Sequence, residues 1–85
     1  MRKRIADETD LLKLAASLRL LREEHAYSQS KLADWVGVNR VSYTNYERAV
    51  NLPNVFILAR IAELYGISVD DILHNPDVAY LFRKE

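Results

Sequence analysis

The segment from Arg40 to Asn45 groups side chains that can contact the edges of DNA bases. Arginine can donate hydrogen bonds to guanine, asparagine can pair with adenine, serine and threonine can serve either, and valine can contact a thymine methyl group. Five residues carry this chemistry: Arg40, Val41, Ser42, Thr44 and Asn45. We treat them as candidates for base readout. The alternative, from the residues alone, is a solvated polar surface.

A short helix must hold these side chains on one face. Asn39 is a residue type that caps helix N-termini, so a helix is predicted from Arg40 to about Arg48. Tyr43 and Tyr46 are three residues apart and are predicted to face the core, although stacking on single-stranded nucleic acid is an alternative. The outer face then belongs to a rod roughly 13 Å long, which suits the major groove of DNA, about 12 Å wide.

A second short helix is predicted just before the first. Ser28 can cap a helix from Gln29 to about Val36, and Gly37 can end that helix with a positive φ. The short joint forces the two helices to cross steeply instead of packing antiparallel. Ala33 is small and lets the axes approach. Residues 28–48 therefore predict a helix-turn-helix.

Helical periodicity extends over the rest of the chain, so the predicted fold class is all-α with five helices. The other helices are expected from Glu8 to His25, from Pro53 or Asn54 to Gly66, and after a cap at Ser68. We divide the chain into a flexible basic arm at 1–7, a domain at 8–74, and a C-terminal extension or sixth helix at 75–85. Arg2, Lys3 and Arg4 of the arm can touch phosphates or form a solubilising tail.

The composition narrows the class of protein. The 85 residues fit one small domain, and the absence of cysteine excludes disulfides and thiolate metal sites. Twelve basic and twelve acidic residues cancel, so net charge does not by itself indicate nucleic acid. Apolar runs are too short for a membrane span, and we expect a cytoplasmic protein that associates with the nucleoid when bound to DNA.

No arrangement typical of an enzyme is present. The chain has no Ser/His/Asp or Cys/His pattern and no glycine-rich phosphate loop, so we expect neither catalysis nor a cofactor or small-molecule ligand. Asp70, Asp71 and His74 share a helical turn and raise the question of a metal site. Favourable interactions with the helix dipole explain them better, so no metal is predicted.

The stretch 18–73 resembles the Cro-like (XRE) helix-turn-helix family of phage and bacterial transcriptional repressors. The resemblance covers about two-thirds of the chain without gaps. Its markers, in chain order, are "LREE", "SQ..LA", "GV" before a polar cap, "YE", "P....L..IA" and "G.S.DDIL", where a dot stands for any residue. Together they imply a lambda-repressor-like five-helix domain that binds double-stranded DNA.

The resemblance also implies roles for individual residues. Gln29 matches a glutamine that contacts the DNA backbone and braces the base-reading side chains, and Asn39 matches a cap that meets a phosphate. Arg22 and Glu47 match a pair that joins the third helix to the first. Beside the contacts that the resemblance implies, we expect Lys31 and Arg48 to contact the DNA backbone.

Two departures from the family affect the expected interface. Ala49 and Val50 stand where members often have glycine and a basic residue, which leaves Arg48 and Asn51 as the candidates for phosphate contact from that loop. Trp35 lies off the inward stripe of its helix. We expect it to pack within the molecule; contact with DNA or with a partner are the alternatives.

An excess of apolar residues near the C-terminus predicts a homodimer. Dimerisation would place two recognition helices in successive major grooves, about 34 Å apart, on a palindromic operator. The alternative is that the extension folds back over Phe56 and Ile57 within one monomer. The dimer candidates are Phe56, Ile57, Val78, Leu81 and Phe82.

These expectations lead to one preferred function. The chain is predicted to be a sequence-specific transcriptional regulator, a repressor, that reads the major groove with helix 40–48. The rival function is a protein-interaction module, such as an antitoxin or anti-regulator, that uses the same fold. Zero net charge, the altered loop after Glu47 and the apolar patch favour that rival.

Overall fold

The structure, a computed structural model, describes residues 8–74, and the predicted arm, extension and sixth helix lie outside these residues. The described part is helical and contains no strand, which confirms the all-α fold class. None of its helices is both long and apolar enough to cross a membrane. The five helices are α1 (Glu8–Glu24), α2 (Gln29–Val36), α3 (Arg40–Glu47), α4 (Val55–Tyr65) and α5 (Val69–Leu73).

Each helix after α1 begins at a polar cap. The cap residue is extended, and its side-chain oxygen accepts a hydrogen bond from the backbone N–H three residues later, which satisfies one of the unpaired groups of the first turn. At α5 the Asp71 carboxylate also accepts from the Ser68 N–H, which completes a capping box. The four caps are Ser28, Asn39, Asn54 and Ser68.

The first four helices end in the same backbone motif. A residue in the left-handed conformation follows each helix, and the next N–H donates back to a carbonyl five residues earlier. Glycine occupies this position after α2 and α4, as the sequence predicts, whereas alanine occupies it after α1 and α3. The four residues are Ala26 (φ 58°), Gly37 (φ 83°), Ala49 (φ 61°) and Gly66 (φ 70°).

The core is apolar and draws on all five helices. The side chain of Tyr43 is fully buried, as are Leu18, Leu32, Ile61 and Ile72. α3 packs against both α1 and α2, so the predicted recognition helix is held from two sides. Tyr46 is buried beside Tyr43, with their rings edge to face 6.0 Å apart, which places both tyrosines in the core rather than on a stacking surface.

Candidate nucleic-acid interface

The turn between α2 and α3 has the geometry expected for a tight helix-turn-helix. Both Gly37 and Val38 donate their N–H groups to the carbonyl of Ala33, at 2.9 and 3.0 Å. Ala33 itself is buried. On the other side of the turn, Arg60 of α4 donates from Nη1 to the carbonyl of Val36 at 3.0 Å. A side chain at position 37 would meet this guanidinium, since an added Cβ would lie 2.8 Å from Nη1.

The predicted base-reading residues lie on the side of α3 away from its core-facing residues. Val41 is 70% exposed, and Arg40 is also exposed. Ser42, Thr44 and Asn45 are half-buried. We call these five residues the outer face of α3.

The predicted backbone-contacting residues flank the outer face. Lys31 is exposed on the first turn of α2, and Arg48 is exposed just after α3. The Asn39 side chain caps α3, because Oδ1 accepts from the Ser42 N–H at 2.8 Å. Gln29 is half-buried at the start of α2. Helix N-termini such as those of α2 and α3 present N–H groups that suit phosphate.

A chain of hydrogen bonds ties the outer face to the interior. Arg22 donates to both carboxylate oxygens of Glu47, from Nε at 2.7 Å and from Nη2 at 3.0 Å. Gln29 donates from Nε2 to the same carboxylate at 3.0 Å, and Thr44 donates to Gln29 Oε1 at 2.9 Å. The pairing of Arg22 with Glu47 that the family resemblance implied is therefore present, and it extends to two residues of the predicted interface.

Burial and hydrogen bonding act in opposite directions on Glu47. Burial alone would raise the pKa of its carboxyl, but hydrogen bonds, above all from Arg22, outweigh burial and lower that pKa. Burial, reinforced by Glu47, raises the pKa of the Tyr43 hydroxyl, which stays protonated beside the carboxylate. The side chains of Arg22 and Glu47 are only 15% and 3% exposed, so the pair is largely shielded from water and salt.

The structure separates the two dimer candidates that it describes. Phe56 is 74% exposed, whereas Ile57 is 8% exposed and belongs to the core. The expectation that Ile57 lies on a dimer surface is therefore corrected, because its side chain is already buried within the monomer. The i, i+4 spacing of Ile57 and Ile61 is the sequence signal for this inward position. Val78, Leu81 and Phe82 lie outside the described residues.

Trp35 and His74 make local contacts. The Trp35 ring packs edge to face on Tyr27, with centroids 4.9 Å apart, and Lys31 Nζ lies 5.5 Å from the ring centroid. His74 Nδ1 lies 3.0 Å from Asp70 Oδ1. Within residues 8–74, no group of three or more histidine and carboxylate side chains is arranged to hold a metal ion.

Known proteins share both the sequence pattern and the fold. A helix-turn-helix family model matches residues 18–72. The uncharacterized HTH-type transcriptional regulator YobD of Bacillus subtilis (strain 168) is 39% identical over 60 residues, which cover 71% of this chain and 54% of that protein. The cryptic phage CTXphi transcriptional repressor RstR of Vibrio cholerae is 24% identical over 63 residues, which cover 74% and 57%. The chain thus spans just over half the length of these relatives.

A solved structure extends the comparison to three dimensions. The crystal structure of the restriction-modification controller protein C.AhdI from Aeromonas hydrophila superposes with a TM-score of 0.70 at 26% identity. The alignment covers 75% of this chain and 97% of that one. The same helical arrangement is therefore found in a small regulator of known structure.

Proposed function

Because the chain belongs to the helix-turn-helix family, we propose that it is a transcriptional regulator that binds double-stranded DNA in a sequence-specific manner. The observation that carries the proposal is the outer face of α3, on which Arg40 and Val41 are exposed; the turn at Gly37 and the hydrogen bonds of the buried Glu47 position this helix. The likeness to the repressor RstR supports repression as the mode of action. Its site of action would then be the cytoplasm, where operators are accessible.

Base readout is assigned to the outer face, and backbone contact to the residues around it. Arg40, as the long basic side chain of the set, is the candidate for donating to guanine. Lys31 stands beside the N-terminus of α2, where a phosphate is favoured by both the helix dipole and the lysine charge. Arg48, Gln29 and Asn39 are assigned to the phosphates that border the groove.

Selection of bound sites from random duplexes tests the proposal directly, since it yields both the consensus and its symmetry. With the selected site in hand, Arg40→Ala should cost about 1–3 kcal/mol and relax preference at one base pair. Lys31→Ala should lower the dependence of log affinity on log salt by about one unit, without changing preference. A uniform loss for Arg40→Ala across all sequences would restrict Arg40 to phosphate contact.

Lys13→Ala is the matched control for Lys31→Ala. It removes the same charge from α1, at a position about 13 Å along that helix from Arg22, which is the α1 residue that contacts Glu47 of α3. Its salt dependence should equal that of the unaltered protein. If both lysine variants lower the dependence of log affinity on log salt equally, the effect comes from overall charge, and Lys31 does not contact a phosphate.

We further propose that the protein binds its operator as a homodimer. Four exposed apolar side chains lie within seven residues of one another, at the loop before α4 and on its first turn, and such patches mark interaction surfaces. Phe56→Lys should shift the protein to monomer in sedimentation, whereas Leu12→Lys, at an exposed leucine of α1, should not. A monomer at micromolar concentration with and without DNA overturns the dimer. The four side chains are Val50, Leu52, Val55 and Phe56.

The same patch favours a second candidate function, a module that binds another polypeptide. Zero net charge supports it, because DNA-binding domains commonly carry excess positive charge. A salt titration with nonspecific duplex DNA separates the two functions. Affinity that falls steeply with salt supports a DNA-binding regulator, and the absence of measurable binding supports the protein-binding module.

A further inference from the structure

The hydrogen bonds that join Thr44, Gln29 and Glu47 all donate toward Glu47, and the reason lies in its carboxylate. An ionised carboxylate accepts hydrogen bonds and cannot donate them. Glu47 accepts two hydrogen bonds from Arg22, and its side chain is only 3% exposed. Arg22 therefore holds the carboxylate in a fixed position. Any other group at hydrogen-bond distance from this carboxylate must therefore be a donor.

Gln29 meets that condition in only one orientation of its amide. Nε2 lies 3.0 Å from Glu47 Oε1, and the opposite orientation would place two acceptor oxygens against each other at the same distance. With Nε2 fixed on Glu47, the amide oxygen is directed to Thr44, whose Oγ1 lies 2.9 Å away. The buried ion pair thus sets the orientation of an amide at the edge of the interface.

The amide oxygen in turn sets the role of Thr44. A threonine hydroxyl has one hydrogen and two lone pairs, and it ordinarily serves as donor or acceptor as its surroundings require. Here its hydrogen is committed to Gln29 Oε1, so the group can offer only lone pairs to the outside. A phosphate oxygen, which is itself an acceptor, cannot bond to it. In the major groove, the donors on base edges are the amino groups of adenine and cytosine.

We propose that Thr44 is a specificity-determining residue that reads DNA as a hydrogen-bond acceptor, selecting the N6 amino group of adenine or the N4 amino group of cytosine. This inference rests on the proposed function, because it assumes that the outer face of α3 enters the major groove. It fixes Thr44 as a hydrogen-bond acceptor, whereas a free threonine hydroxyl could either donate to a base or accept from one. Gln29 is the positioning residue that imposes the polarity.

The first experiment locates the base that Thr44 reads. Sites are selected from random duplexes, and each base pair of the consensus is then replaced in turn and its affinity measured for the unaltered protein, Thr44→Val and Thr44→Ser. At one position Thr44→Val should lose discrimination while Thr44→Ser, which keeps the hydroxyl, retains it. Every base pair presents one amino group in the major groove, from its adenine or its cytosine, so this experiment locates the base pair and the next one identifies the group. Retained discrimination at every position in Thr44→Val overturns the inference.

The second experiment tests the polarity itself. At the position read by Thr44, the adenine or cytosine of the preferred base pair is replaced by an analogue that lacks only its amino group. The unaltered protein should lose about 2- to 12-fold in affinity, the worth of one neutral hydrogen bond, and Thr44→Val should lose nothing. An unchanged affinity of the unaltered protein for the analogue contradicts the proposal.

The third experiment tests the role of Gln29. Gln29→Ala removes the acceptor of the Thr44 hydroxyl hydrogen, so the hydroxyl can rotate and can then either donate to a base or accept from one. At that position, the ratio of affinities between the base pair that places an amino group opposite Thr44 and the base pair that places a carbonyl oxygen there should fall toward one, whereas ratios at other positions should not change. An unaltered ratio removes Gln29 from the proposal. If the unaltered protein selects no duplex at all, the proposed function fails, which is distinct from selection with the wrong polarity at Thr44.

Discussion

Gly37 and Gly66 offer a matched pair of positions for measuring what the turn of the helix-turn-helix requires. Both residues end a helix in the left-handed conformation, at φ 83° and 70°. They differ in their surroundings: a Cβ at position 37 would lie 2.8 Å from Arg60 Nη1, whereas a Cβ at position 66 would meet nothing within 4 Å. Replacing each by alanine therefore separates the cost of the backbone conformation from that of the contact.

The two costs can be worked out from these contacts. For Gly66→Ala, the left-handed conformation costs about 1–2 kcal/mol, partly offset by the lower entropy of the unfolded chain, for a net loss of about 1 kcal/mol. Gly37→Ala has the same net conformational cost and also displaces the Arg60 guanidinium from the Val36 carbonyl. A hydrogen bond from a charged donor is worth about 1.5 kcal/mol at the low end of its range, appropriate for an exposed arginine, so the total is about 2.5 kcal/mol.

Urea unfolding of the two variants, in the presence and absence of Arg60→Ala, measures the difference. In the Arg60→Ala background, the cost of Gly37→Ala should fall to that of Gly66→Ala, because the group that the new Cβ displaces is gone. Equal costs for the two glycine substitutions in the unaltered protein would refute the assignment of Arg60 as a support of the turn. So would an excess cost at position 37 that persists without Arg60.

Two further substitutions and one pH series test the C-terminal end of α3. Ala49→Gly should stabilise the protein by about 0.5–1 kcal/mol in urea unfolding, because glycine adopts the left-handed conformation without strain. The same substitution at Ala59, inside α4, should instead destabilise by about 1 kcal/mol, and a loss at both sites would contradict the strain at Ala49. Glu47→Gln should cost about 3 kcal/mol, at the lower end for a broken buried pair because Arg22 retains some exposure to water. Since the folded pKa of Glu47 lies below its unfolded value, its contribution should be present at neutral pH and lost as pH falls through that folded pKa. The urea midpoints of the unaltered protein and of Glu47→Gln should therefore converge in acid, and a constant gap would count against the pair.

Most of the fold could be predicted because its boundaries have local causes. Ser28, Asn39 and Ser68 cap helices through contacts three residues away, and glycine at 37 and 66 follows from a backbone preference. These interactions are decided within one helical turn, so the residue types suffice to locate them.

Other features depend on contacts that residue types do not specify. Alanine has no preference for the left-handed conformation, so nothing at Ala26 or Ala49 predicts that either residue adopts it. The Thr44–Gln29 hydrogen bond joins residues 15 positions apart and requires the crossing angle of α2 and α3. Phe56 and Ile57 are adjacent apolar residues on one helix, so residue type does not distinguish them, and only the spacing of Ile57 to Ile61 indicates which one is buried.

Glu47 links the stability of the domain to its proposed specificity. Its carboxylate anchors Arg22 from α1 and Gln29 from α2, and through Gln29 it fixes the hydroxyl of Thr44 on the outer face. A change that only weakened the fold would lower affinity equally for every DNA sequence, because it reduces the fraction of folded protein. A change at Glu47 must do more, since a neutral glutamine there can present either its oxygen or its nitrogen to Gln29. The orientation of the Gln29 amide is then no longer imposed, so Glu47→Gln should lose base discrimination at the position read by Thr44 even where the protein remains fully folded.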